Sequence, residues 1–283
     1  PKGGLRATGK FGGTAYTALV AEDQGGGSVI LPGPQGSSFA EQDFGSKVGI
    51  VRLKHDFGVS FVSFLATSRE LDGGGHNRVF GPDFQWRPTP SDAITGQLLW
   101  SGSVTPKRPD LASEWDGRSL SGEAWKLNWA RNTEHVDVFV QGQGVSSDFR
   151  ADNGFVPQAG FDEGYFEGGY TVRPKGFFNR IRLWTIASYD RGPDHSLLQR
   201  HTAIGSGLDG ALNSFYRVEL NNDDFLVGTK VLHRFRPRLY AEVRPGAVVN
   251  DVYLDAYFGD EVDFDNAREG SGATLLLFAS VRP

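Results

Sequence analysis

The densest group of carboxylates in the chain is Asp255 to Asp265, DAYFGDEVDFD. Carboxylate oxygens suit a hard cation such as Ca²⁺. The run lacks the ligand spacing of a calcium-binding helix-loop-helix, so it reads as a solvated loop. Asn221-Asn222-Asp223-Asp224 reads as a turn for the same compositional reasons. The histidines at 55, 76, 135, 195, 201 and 233 are scattered. Only His195 and His201 come near one another, across a turn, and they do not make a metal site. A hydrolase would need a serine and an acid beside a histidine on neighbouring strands. Serine and aspartate are so common here that such trios can be drawn at will, and no nucleophile-elbow motif occurs. The glycine clusters 25–27 and 73–75 are followed by no helical pattern, so they are flexible loops rather than phosphate cradles. Arg180, Arg182, Arg217, Arg234, Arg236, Arg238 and Arg244 could line a wet channel and favour anions. Equally, Arg180 and Arg182 could pair across strands with Glu167, near Arg173. No catalytic, cofactor-binding or metal-binding residue is assigned on these patterns, no cofactor is expected, and the chain is expected not to be an enzyme.

The elements that must hold these residues are strands. The chain has 283 residues, 39% apolar, with 38 glycines, 21 phenylalanines, 8 tyrosines and 6 tryptophans. Gly-rich, aromatic-rich sequence with alternating patterning belongs to β-barrels and propellers. A formal charge of −5 argues against a nucleic-acid partner. The absence of cysteine excludes disulfides and thiolate chemistry. No apolar run approaches the roughly 18 residues of a membrane helix. The most apolar stretch, Ala273 to Val281, has the length of a membrane strand instead.

The clearest hairpin is His76 to Val104. Phe80, Phe84 and Trp86 alternate with Asn77, Asp83, Gln85 and Arg87. After the break at Pro88 to Asp92, Ile94, Leu98, Trp100 and Val104 alternate with Thr95, Gln97, Ser101 and Ser103. The same period recurs around Trp125, Leu127 and Trp129, around Val136, Val138 and Val140, around Phe166, Tyr170 and Val172, and around Val252, Leu254, Ala256 and Phe258. Asp23 to Ser46, Thr105 to Arg118 and Ser147 to Asp162 read as long loops. A turn at Leu208-Asp209-Gly210 is expected within the alternating stretch Leu197 to Asn221, and Phe225 to Arg234 is expected as one strand. Long loops and short turns tend to alternate, which is the pattern of an outer-membrane barrel.

A soluble sandwich also alternates. Here the polar faces carry the residues of a wet lumen, aromatics sit toward strand ends as an interface girdle would, and the arms are long enough. Thirteen residues at about 3.3 Å each, tilted by about 40°, rise about 33 Å, enough for an apolar band of about 25 Å. The expected fold is therefore all-β, an antiparallel up-and-down transmembrane β-barrel with about fourteen strands. Residues 1–283 are expected to form a single domain.

Several stretches carry a family likeness: Gly3-Gly4-Leu5-Arg6-Ala7-Thr8-Gly9-Lys10, Gly75-His76-Asn77-Arg78-Val79-Phe80-Gly81-Pro82-Asp83-Phe84, and Ser147-Asp148-Phe149-Arg150-Ala151-Asp152-Asn153-Gly154-Phe155-Val156-Pro157-Gln158. Together they resemble the uncharacterised outer-membrane β-barrel domain that follows a family-nine carbohydrate-binding-type module in Gram-negative proteins. The resemblance runs from Gly3 to about Pro174. Gln158 stands where the family pattern has arginine, and the binding module and an aromatic C-terminal residue are not in this sequence. The chain is accordingly expected to be an internal piece of a larger barrel. The resemblance implies the outer membrane of a Gram-negative bacterium, with outer-membrane lipid and lipopolysaccharide around it. Partners would be other envelope proteins or a periplasmic carbohydrate-binding-like module. The expected role is that of a channel, a membrane anchor or a scaffold subunit of an envelope complex. The alternatives are a soluble all-β carbohydrate-binding or cell-surface module and, less favoured, an outer-membrane barrel hydrolase.

Overall fold

The structure, a computed structural model, describes residues 2–246 and 248–282. Among these are eighteen strands and no α-helix. The first eight are β1 (Gly3–Phe11), β2 (Thr14–Asp23), β3 (Gly27–Gly33), β4 (Gly36–Gln42), β5 (Ser46–Phe57), β6 (Ser60–Leu71), β7 (His76–Thr89) and β8 (Asp92–Val104). Then come β9 (Ser119–Asn132), β10 (Val136–Val145), β11 (Phe161–Val172), β12 (Phe178–Arg191) and β13 (Leu197–Gly210). The last five are β14 (Ser214–Val227), β15 (Lys230–Phe235), β16 (Arg238–Val243), β17 (Val249–Asp263) and β18 (Arg268–Val281). All but β3 and β4 belong to one antiparallel sheet, hydrogen-bonded in sequence order, with β15 and β16 both pairing β14. No ladder among the described residues joins β1 to β18, so a closed ring of strands is not observed.

The chain divides into two compact units. The first comprises Pro1–Trp129, Gln141–Glu163 and Gly192–Ser196, and the second Ala130–Val140, Gly164–Arg191 and Leu197–Pro283.

In the first unit the expected hairpin is present. Asn77 pairs with Ser103, Val79 with Ser101 and Phe80 with Trp100 across β7 and β8. The turn is tied by Thr89, whose hydroxyl donates to Asp92 Oδ2 at 2.5 Å and accepts from the Asp92 backbone N–H at 3.1 Å. On β7 the aromatic face is the exposed one, and the covered face is mixed, with Val79 3% exposed between its polar groups. Phe80 and Trp86 are 48% and 51% exposed, and Phe84 is exposed with them, while Asn77 is 0% exposed and Asp83 is buried. Residues 23–46, expected as an irregular loop, contain the separate hairpin β3–β4. Its alternation, Val29-Ile30-Leu31 against Phe39-Ala40, is too short to stand out between glycines.

In the second unit the polar stretch Asn221 to Asp224, expected as a turn, lies inside β14, and the real turns flank it at 211–213 and 228–229. The expected turn at Leu208-Asp209-Gly210 is therefore the end of β13, and Phe225 to Arg234 spans the end of β14 and most of β15. The carboxylates stay in a ladder because each faces basic side chains on both neighbouring strands: His201 and Arg234 flank Asp223, and Arg200 and His233 flank Asp224. β15 and β16 would be one strand but for Pro237, which has no N–H to give a ladder. Gly259 sits opposite this break with φ +118, where a Cβ would meet the Phe235 carbonyl oxygen at 2.5 Å. The acidic run expected as a loop is mostly β17, which continues to Asp263.

Candidate functional site

The first unit's polar face is roofed by the segment between β10 and β11. Asn77 is the anchor. Its side-chain N–H₂ donates to Ser103 Oγ and to the Arg150 carbonyl, each at 2.8 Å, and its Oδ1 accepts the Asp152 N–H at 3.0 Å. Arg69 donates to the Asp152 carbonyl at 3.0 Å, to Ser46 Oγ at 3.0 Å and to Gln42 Oε1 at 2.8 Å. Asn153 donates to the Ser68 carbonyl at 3.1 Å, and the Arg150 N–H donates to Ser101 Oγ at 3.2 Å. Phe149, within the segment, is 1% exposed. Close approach depends on Gly122, where a Cβ would fall 2.4 Å from the Phe149 nitrogen.

Charge reinforces the roof. Arg150 makes an ion pair with Glu114 at 3.0 Å and donates to the Ser147 and Phe149 carbonyls. Arg108 is clasped by Asp43 and Asp110, at 2.9 Å and 2.8 Å from its Nη2, and holds both carboxyls below their ordinary value. Arg118 holds Asp116 down to about 2. Burial pushes the Asp152 carboxyl above its ordinary value, against the pull of Arg69 and Arg150. Below the roof lies a cavity of about 560 Å³. Leu65, Val79, Leu99 and Phe161 supply its apolar surface, and Gln97, Lys126, Gln143 and Glu163 its polar groups. A volume of this size is within the range of about 300–1,000 Å³ that holds small molecules.

The rest of this face is a cross-strand polar network. Arg52 reaches Asp83 at 2.7 Å and Ser63 at 3.0 Å, and Ser63 donates to Asp83. In the second unit each of the arginines singled out by sequence has a carboxylate partner. Arg182 binds Asp137 and Glu167, Arg180 binds Asp209 at 2.8 Å, and Arg234 binds Asp223 at 2.9 Å. Arg236 meets Glu261 at 2.7 Å, Arg238 grips Asp255 through two bonds, Arg217 lies 3.5 Å from Glu219, and Arg244 pairs with Glu242. Ion pairing is realised, but of the expected partners only Arg182 meets Glu167, while Arg180 turns to Asp209 and Arg173 to Glu134. Ion pairing also accounts for the acidic run, whose Asp255, Glu261 and Asp263 face Arg238, Arg236 and Arg268. Among the described residues no group of histidine and carboxylate side chains is placed to hold a metal ion.

A scan of protein-family models finds no match to the chain, and neither does a search of curated proteins. The geometry therefore carries the functional argument alone.

One serine–histidine–acid row does exist. Ser188 lies opposite His201 in the β12–β13 ladder, and His201 Nδ1 contacts Asp223 Oδ1 at 2.6 Å. Arg234 takes the other Asp223 oxygen, so the row reads as one more ion ladder. The glycines at 25, 26, 73, 74 and 75 all adopt positive φ, as loop glycines do. The roof itself was hidden from sequence reasoning. Its signal was Ser147 to Gln158, a stretch with no periodicity but with several side chains that cap and bridge backbone groups.

Proposed function

We propose that the chain is a membrane-spanning part of an outer-membrane β-barrel, non-enzymatic, serving as a plugged anchor or scaffold in a Gram-negative envelope rather than as a permanently open channel. The observation that carries this reading is the inverted burial of β7. Its aromatic side chains face outward while Asn77 and Asp83 are covered. In water that arrangement would expose a large apolar surface and spend the interior on polar groups. In a bilayer it is the favourable one, because lipid solvates the aromatic face and a wet lumen solvates the other. The strands fit the task, since the fourteen residues of β7 rise about 35 Å at about 3.3 Å each and a tilt of about 40°. Against an open channel stands the roof on Asn77 and Arg69. Partners consistent with this reading are outer-membrane lipid and lipopolysaccharide, other envelope proteins, or a periplasmic carbohydrate-binding-like module joined to the barrel.

The test is the solvent requirement. The purified chain is expected to stay monodisperse only with detergent or lipid, and to refold into vesicles with lipid-protected strands. A monodisperse, folded chain in plain buffer would overturn the membrane reading and favour a soluble all-β module.

A further inference from the structure

The cavity under the roof holds one carboxylate that has partners and one cation that has none among the described residues. Glu163 is occupied, with one carboxylate oxygen accepting from Gln141 at 3.0 Å and the other from Gln143 at 3.2 Å. Lys126 also lines the cavity and is exposed to it, but no ion pair or hydrogen bond engages its side chain among the described residues. This contrasts with the rest of the polar network, where arginine after arginine is matched to a carboxylate. Lys126 is also placed beside a free amide. Thr95 donates to Asn128 at 2.8 Å between β8 and β9. One step of two residues along each strand puts Gln97 and Lys126 on the same face, next to each other. Leu65, Val79 and Leu99 of the apolar surface come from three consecutive strands. The covering residues Phe149 and Ala151 belong to a segment already pinned by Asn77, so the cavity stands open without rearrangement.

We propose that this cavity binds a small amphipathic carboxylate, an organic anion with one carboxylate and a compact apolar body. Its carboxylate takes the Lys126 ammonium and a Gln97 N–H, a charge-assisted pair in a partly desolvated place. Its apolar body covers Leu65, Val79 and Leu99. Cationic ligands are disfavoured, because Lys126 repels them and both Glu163 oxygens already accept an amide N–H. Neutral alcohols of the same shape keep the apolar contact but lose the ion pair. The site lies on the polar face of one unit, so binding does not depend on whether the opposite face meets lipid.

The test is equilibrium dialysis of the full chain in a neutral sugar-based detergent, with 4-phenylbutyrate as probe and 4-phenylbutanol and 4-phenylbutylamine as comparators. Saturable one-site binding of the carboxylate is expected, at least about tenfold tighter than either comparator, a difference of about 1.4 kcal/mol. Lys126→Gln is expected to abolish that preference and Lys126→Arg to retain it. Leu99→Trp, which leaves the cation and fills the apolar wall, is expected to remove binding of acid and alcohol alike. Far-UV circular dichroism identical to the parent chain confirms that each variant is folded. Absence of saturable binding to the folded parent chain overturns the proposal, as does equal binding of acid and alcohol, or a carboxylate preference that survives Lys126→Gln.

Discussion

Leu98 and Gln97 are neighbours in sequence on opposite faces of β8, and on the proposed membrane reading the two faces differ in solvent. Gln97 opens into the cavity on the polar side, while Leu98 shares the apolar side with Trp100. Arginine at position 98 should therefore destabilise a chain folded in vesicles by about 2–4 kcal/mol if the position is near the bilayer midplane, whereas arginine at 97 should cost under about 1 kcal/mol. Urea titration of the folded state in vesicles measures both, and equal losses would show that the faces are assigned wrongly. Asp152 supports a second prediction at this scale. A carboxyl held above its ordinary 3.8 binds its proton more tightly in the folded chain than in the unfolded one. Its contribution is present in full below 3.8 and is lost as pH rises through the elevated folded value. Asp152→Asn should accordingly slow hydrogen exchange of segment 147–160 at pH 7, and should flatten the tightening that the parent segment undergoes between about pH 7 and pH 4. The Arg108 clasp acts in the opposite sense. Asp43 and Asp110 are depressed, so their contribution is present above 3.8 and is lost as pH falls through their lowered values. A segment whose exchange is unchanged by Asp152→Asn at both ends of that range would refute the role of burial there.

The roof segment behaves as an element in its own right, though it has no regular structure. It docks because β9 offers a glycine at position 122 and because Asn77 and Arg69 supply donors and acceptors for its backbone. Adding one methyl by Gly122→Ala should overpack this contact by about 1–3 kcal/mol. The readout is trypsin cleavage after Arg150, expected to accelerate by about tenfold or more with the sheet's circular dichroism unchanged. An unaltered cleavage rate would mean that Gly122 does not set the docking. The contrast with the strands explains what sequence could show. Period-two alternation made the faces of β7, β8, β10 and β11 readable, because each residue there has only two places to point. Asn221 to Asp224 and the acidic run were misread for one reason. Charged residues in a strand look like a turn unless their partners, Arg234, His233, Arg236 and Arg238, are known to lie on the next strand. Docking of residues 147–160 depends on contacts with residues around 70 positions earlier, such as Asn77, and no local pattern encodes those.

At the scale of the whole molecule, inverted solvation and a covered polar face have to be reconciled. On the proposed membrane reading, strands with aromatics on one face and ion ladders on the other have lipid on the first and either water or their own side chains on the second. In the first unit Arg52–Asp83 neutralises charge on the polar face that the roof partly covers, and in the second unit Arg182–Asp137 and Arg238–Asp255 do the same for theirs. On the proposed membrane reading both features would oppose ion flow, one by leaving few uncompensated charges to attract ions and one by occupying space. The parent chain in planar bilayers should therefore insert without single-channel steps. Replacing residues 148–158 by a short Gly-Ser linker should leave the strands intact, because the docked segment contributes no ladder to β6, β7 or β8. If the roof is a plug, the shortened chain should then show discrete conductance steps. Steps in the parent chain would make it an open channel. Silence from both chains, with insertion proven by protease protection of the strands, would assign the block to the ion ladders, and a charge-removing variant such as Arg52→Ala with Asp83→Ala would be the next chain to conduct.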